Sequence, residues 1–135
     1  MTPDLTWLAY TAVLTALLWI PYIVGLTMTS GPITAEGYRD PTPRELPAWV
    51  KRGNRSHINA VETIAPFAVL VILAHITGVS NEMTALWALV FFLARVAHAI
   101  VYWMAIPYVR TLASAIGLVA TLGVFWEVVT AAPAA

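Results

Sequence analysis

The sequence predicts an all-α integral membrane protein, a four-helix bundle with up-down antiparallel connectivity. Three observations carry this. The 135-residue chain is 60% hydrophobic and only 10% charged, where soluble domains carry about 25% charged residues. Its apolar residues fall into four stretches, each long enough for a helix of about 20 residues to cross a hydrocarbon core roughly 30 Å thick. None of the stretches alternates with period two, and a segment in lipid must satisfy its own backbone polar groups, so these are helices and not strands. The length suits a single membrane domain, residues 1–135.

The first stretch, Leu5 to Met28, predicts a helix over about 5–28, interrupted only by Pro21 and Gly25. The preceding MTPDLTW lacks the positive region of a secretory signal, and no small-x-small cleavage site follows, so this reads as a retained membrane helix. A long polar loop, 29–57, comes next, rich in proline (Pro32, Pro41, Pro43, Pro47), with room for helix to resume between Pro47 and Arg55. The second helix is expected over 58–79, the third over 84–106 and the fourth over 108–130. Short links at Gly78–Met83 and around Pro107 make helices two, three and four antiparallel neighbours.

Charge gives the orientation. Five of the seven basic residues (Arg39, Arg44, Lys51, Arg52, Arg55) lie between the first two helices, and Arg110 follows the turn between the last two. The opposite side carries Asp4 and Glu82 and no Lys or Arg. The positive-inside rule places the 29–57 loop in the cytoplasm and both termini outside, in the periplasm of a bacterial inner membrane. Trp7, Trp87 and Trp126 fall near the outer helix ends and Trp49 and Trp103 near the inner ends, as interfacial belts do. Trp19 is mid-helix and is expected to pack. A formal net charge of zero gives no case for a nucleic-acid partner, and the absence of cysteine excludes a disulfide framework and a thiolate of the protein's own. Thiol chemistry would need a thiol supplied by a substrate.

Two polar stripes run at membrane depth. Arg95, His98 and Tyr102, at i, i+3 and i+7, fall within about 60° on one face of the third helix. Arg55, Asn59 and Glu62 form a matching stripe on the second. An isolated charge at the bilayer centre costs about 2.5–3.5 kcal/mol on insertion scales, so an Arg95–Glu62 ion pair is expected. Pro66 cannot donate to the Glu62 carbonyl, four residues back, which predicts a kink beside the stripe. Such groups also serve as plain helix glue. The number of them on one side favours a site. His75 and Glu127 read as interfacial. His57 and His98 lie too far apart, with no third ligand in register, to argue a metal. Arginine forks onto carboxylates and lowers the pKa of a nearby thiol, so the set suits a small zwitterionic thiol peptide.

At these residues the chain resembles the MAPEG superfamily, membrane-associated proteins in eicosanoid and glutathione metabolism. RSHINAVETIAPF (Arg55 to Phe67) is similar to that family's second-helix signature of Arg, Asn and Glu followed by Pro. RVAHAIVY (Arg95 to Tyr102), followed by IPYVRT, is similar to the third-helix signature of the prostaglandin E synthase branch. The resemblance covers nearly the whole chain and looks like a bacterial-type member. It implies a homotrimer with glutathione as co-substrate between neighbouring subunits, near the cytoplasmic face. Arg55, Asn59, Glu62, His98, Tyr102 and Arg110 would contact glutathione. Arg110 would stabilise the thiolate, with Thr111 in a place where some relatives have serine. The chain departs from that pattern at Ile58, where relatives carry arginine or another polar residue, and at GLTMTSG, which lacks a carboxylate-binding arginine. The expected activity is a glutathione-dependent transferase or peroxidase acting on lipophilic electrophiles that enter from lipid. The alternative is a non-catalytic membrane binding or structural protein that retains the fold.

Overall fold

The computed structural model describes residues 1–32, 34–35 and 45–131. Arg39, Pro41, Pro43 and Arg44, named above for the loop and its charge, lie outside the described residues, as does the tail 132–135. Among the described residues the chain is helical: α1 (Pro3–Leu17), α2 (Ile20–Ser30), α3 (Ala48–Ile76), α4 (Glu82–Trp103) and α5 (Val109–Thr130). These make four spans long and apolar enough to cross a membrane, with α1 and α2 together forming the first.

The first span is therefore two helices, not one. Pro21 has no amide for the carbonyl of Leu17 and its ring crowds that position, so α1 stops at Leu17 and Pro21 sits in the first turn of α2, where a missing N–H costs nothing. Trp19, expected to pack, lies at this break and is 45% exposed. Gly31, at φ 77°, closes α2 in the left-handed region that glycine adopts freely.

The expected loop 29–57 is too long at its far end, because α3 already begins at Ala48. At 29 residues, α3 is about 43 Å long at 1.5 Å per residue, longer than the hydrocarbon core. Its first turns carry Lys51, Arg52, Asn54 and Arg55. Their polarity hides a helix from any search for apolar runs. The helix continues through Pro66 and ends at Ile76, three residues before the expected Val79. Gly78 (φ 71°) lets the chain turn back so that Val79 N and Ser80 N donate to the Ala74 carbonyl at 2.8 and 3.2 Å. Asn81 then starts α4: its side chain accepts from Met83 N and Thr84 N while Thr84 Oγ1 accepts from Asn81 N, a reciprocal cap. At the other end α4 stops at Trp103, short of the expected Ile106. The turn to α5 places Ala105 and Tyr108 at φ 59° on either side of Pro107.

Small residues let the helices approach. Ala88, Ala94, Ala113, Gly117 and Ala120 are buried where α4 meets α5. Phe67 of α3 stacks on Phe91 of α4 with centroids 3.8 Å apart, and Val71, Ala88, Ala120 and Val124 complete this core. A Cβ on Gly123 would fall 2.3 Å from the Trp87 ring, and one on Gly25 would fall 2.6 Å from Trp49, so both contacts depend on glycine.

The end of the bundle where α1 starts and α5 ends is closed by side chains. Asp4, 1% exposed, accepts from Leu5 N at 2.9 Å, Ser80 Oγ at 2.7 Å and Thr84 Oγ1 at 3.2 Å. This fastens the start of α1 to the turn before α4. Glu127, expected at the interface, accepts from Asn81 Nδ2 at 2.9 Å and adds the end of α5. Nothing in the sequence spacing signals this clasp, because its partners lie 76 and 80 residues from Asp4.

Candidate functional site

The polar stripes of α3 and α4 meet in the half of the bundle away from the termini, but with different partners from those expected. Arg95 is 3% exposed. Its Nη1 donates to Asn59 Oδ1 at 3.0 Å and to Thr63 Oγ1 at 3.1 Å, and its Nη2 reaches the Ala113 carbonyl at 3.4 Å. The guanidinium carbon lies 5.6 Å from the centre of the Phe91 ring. The expected Arg95–Glu62 ion pair is not formed: no acidic side chain among the described residues pairs with Arg95. The reason is rotational. Asn59 and Thr63, one turn apart, face α4, while Glu62 lies about 100° round the helix from Thr63 and is exposed. Thr63 is thus a partner that the sequence reading missed, although its place four residues after Asn59 was a usable signal. Gly117 was missed as well. A Cβ there would fall 2.9 Å from Arg95 Nη2, so glycine makes room for the guanidinium.

Glu62, Thr63 and Pro66 of α3, Phe91 and Arg95 of α4, and Ser114, Gly117, Leu118 and Thr121 of α5 enclose a cleft of about 150 Å³. Arg95 Nε is buried among the helices without a hydrogen-bond partner.

Closer to the turn between α4 and α5, a second group forms a stack. His98 is 5% exposed. Its ring lies 5.3 Å from that of Tyr102, and the Arg110 guanidinium lies 5.1 Å from the Tyr102 ring centre on the far side of the turn. Cation–π contact of this kind is worth about 0.5–1 kcal/mol when exposed, a modest bias on a flexible arginine. Arg110 and Thr111 are both exposed. Arg52 Nε donates to the Trp103 carbonyl at 3.3 Å and so fixes the start of α3 against the end of α4.

Arg55 stands apart from both groups within the single chain, and Glu62 borders the cleft without pairing with Arg95. They belong to a seam on α3 that repeats at alternating four- and three-residue steps: Lys51, Arg55, Ile58, Glu62, Ala65, Val69, Ile72 and Ile76, every one exposed. A 3.5-residue repeat is the pattern of a helix that packs on another helix. An ionisable residue inside a span, open on such a face, is a functional-site signal by default. The arrangement supplies an exposed cation against an aromatic ring, an exposed carboxylate and arginine on α3, and a largely apolar cleft between α3, α4 and α5.

A model of the MAPEG family matches residues 5–130, nearly the whole chain, and the chain belongs to that family. It is a multi-pass membrane protein. A search of curated proteins finds no match.

Proposed function

We propose that this MAPEG-family protein binds glutathione and joins its sulfur to lipophilic electrophiles, or uses glutathione to reduce lipophilic peroxides. The observation that carries the reading is the His98–Tyr102–Arg110 stack, which sets an exposed guanidinium against the Tyr102 ring. A nearby arginine favours the thiolate, the nucleophilic form of a thiol. Glu62 and Asn59 suit an ammonium or amide, and Arg55 a carboxylate. Thr111 adds a hydroxyl next to Arg110. The paired motifs support a bacterial-type member near the prostaglandin E synthase branch.

The exposed α3 seam supports a homotrimer, with a neighbouring copy covering it and glutathione at the boundary. The basic residues around Lys51–Arg55 support a cytoplasmic site in an inner membrane, with periplasmic termini. A cysteine at Thr2 should then react with a periplasmic thiol reagent and one at Thr42 only from the cytoplasm. Labelling at Thr2 from the cytoplasm would reverse the orientation.

The purified protein in detergent should bind glutathione and form its conjugate with a lipophilic electrophile. Absence of both would favour the second reading, a non-catalytic binding protein. Ile58 and the lack of a basic residue in the last turn of α2 speak for that reading, since they leave fewer cations to clamp a carboxylate.

A further inference from the structure

We infer that Arg52 is a further binding residue for glutathione, and that its free guanidinium edge takes the glycine carboxylate. It thereby sets a preference for a thiol peptide that ends in a negative charge. The inference deepens the glutathione reading and rests on it.

Arg52 extends the polar stripe of α3 by one turn. Arg52, Arg55, Asn59 and Glu62 follow at steps of three, four and three residues, which keeps all four within about 80° of the helix surface. Lys51, next to it, already has Glu45 at 4.0 Å, whereas no acid among the described residues pairs with Arg52. Its hydrogen bond runs from Nε to the Trp103 carbonyl at 3.3 Å. Trp103 ends α4, so that carbonyl is one of those a helix leaves without an amide partner. The residue before it is Tyr102, whose ring carries Arg110.

That bond uses one N–H and leaves the rest of the fork. Neither Nη has a partner among the described residues, and neither is buried. The two parallel N–H groups of the Nη1–Nη2 edge match the two oxygens of a carboxylate. Because Nε is already held by the main chain of α4, less side-chain freedom is lost when the carboxylate arrives. Capping α4 accounts for one edge of the guanidinium and leaves the other open. The length of the stripe fits the ligand. Arg52 and Glu62 are ten residues apart in sequence, about 15 Å along α3. An extended tripeptide covers about 10 Å, and the long side chains at either end close the difference. Glutathione carries an ammonium and a carboxylate at its γ-glutamyl end and a lone carboxylate at its glycine end. With Glu62 on the ammonium and Arg55 on the carboxylate beside it, Arg52 meets the lone one. It thus supplies a cation that the last turn of α2 lacks.

The test compares two ligands by calorimetry on the full-length protein in detergent: glutathione, and glutathione ethylated on its glycine carboxyl. The wild type should bind glutathione about 10- to 100-fold more tightly than the ester, the range for a hydrogen bond to a charged group. Arg52→Gln should bind both ligands alike, near the wild type's affinity for the ester. Arg52→Lys keeps the charge without the fork, and its preference should fall between the two. A role confined to capping α4 would weaken both ligands equally and keep their ratio, which would overturn the proposal. So would a ratio that collapses in Arg55→Gln and survives in Arg52→Gln. A wild type that binds the two ligands alike would overturn it without any variant, so a folding defect at Arg52 does not decide the result. Binding of neither ligand would remove the glutathione reading together with this one.

Discussion

Asp4 and Glu62 are both acids within membrane-spanning helices, and the protein treats them in opposite ways. Asp4 is 1% exposed and accepts from one backbone amide and two hydroxyls on a distant turn. Glu62 is exposed, without an ion-pair partner among the described residues. The contrast extends to their surroundings. At the terminal end, Asn81, Thr84 and Glu127 close on one another. In the other half, Arg95 keeps an unused donor, and Arg55, Glu62 and Arg110 face outward. Polar residues satisfied inside one chain hold helices together. Polar residues left open at membrane depth point to something the single chain lacks, a ligand or a second copy.

Changes in the two halves should therefore fail in different ways. The largest effect is expected at Arg110. Arg110→Ala should cut conjugation by about 10²–10³, as loss of a transition-state donor commonly does. Its thermal midpoint should stay close to the wild type, because the side chain is exposed and its ring contact with Tyr102 is worth only about 0.5–1 kcal/mol. Melting curves measured beside rates would separate the two. A collapse in stability would move Arg110 to the structural side of the comparison.

Asp4→Ala should show the converse. It leaves the Ser80 hydroxyl without its acceptor, while Thr84 Oγ1 keeps the Asn81 carbonyl at 2.9 Å, a loss of about 1–3 kcal/mol for a buried group. It should lower the denaturation midpoint while leaving activity per folded molecule unchanged. Reduced activity at full folding would mean that the clasp reaches the site.

How much of this contrast the sequence carries depends on the residue. The four spans are legible because hydropathy and length alone define them. The break at Leu18 is not, since a proline such as Pro21 is equally at home in the first turn of a new helix or at a bend in a continuous one. The start of α3 is legible only as room for helix after Pro47, because Lys51 and Arg52 keep it out of the apolar run. Stripe spacing brings Arg95 near Asn59 and Glu62, but it cannot say which of them the guanidinium reaches, and a rotation of one residue transferred the contact from Glu62 to Thr63. Asp4 is unreadable for a different reason: its partners are remote in sequence.

The smallest effect is expected at Gly117, which contrasts with Gly123. Gly123→Ala drives a methyl into the Trp87 ring, a rigid plane held between helices, and should cost about 1–3 kcal/mol as overpacking does. At Gly117→Ala the methyl meets the end of the Arg95 side chain, which can yield, and the gain in helix propensity of about 1 kcal/mol offsets most of the strain. Stability should thus separate the two variants. A larger loss at Gly117 than at Gly123 would show that Arg95 is held as rigidly as the core.

The claim that the open half is a thiol site is tested most directly by ultraviolet absorbance of the glutathione-saturated protein, followed against pH. In the wild type the thiolate band should appear well below the pH of about 8.5 at which an unperturbed cysteine thiol ionises. In Arg110→Ala the transition should return toward that value, with the fold intact. A wild-type titration indistinguishable from free glutathione, or one that Arg110→Ala leaves in place, would contradict the account.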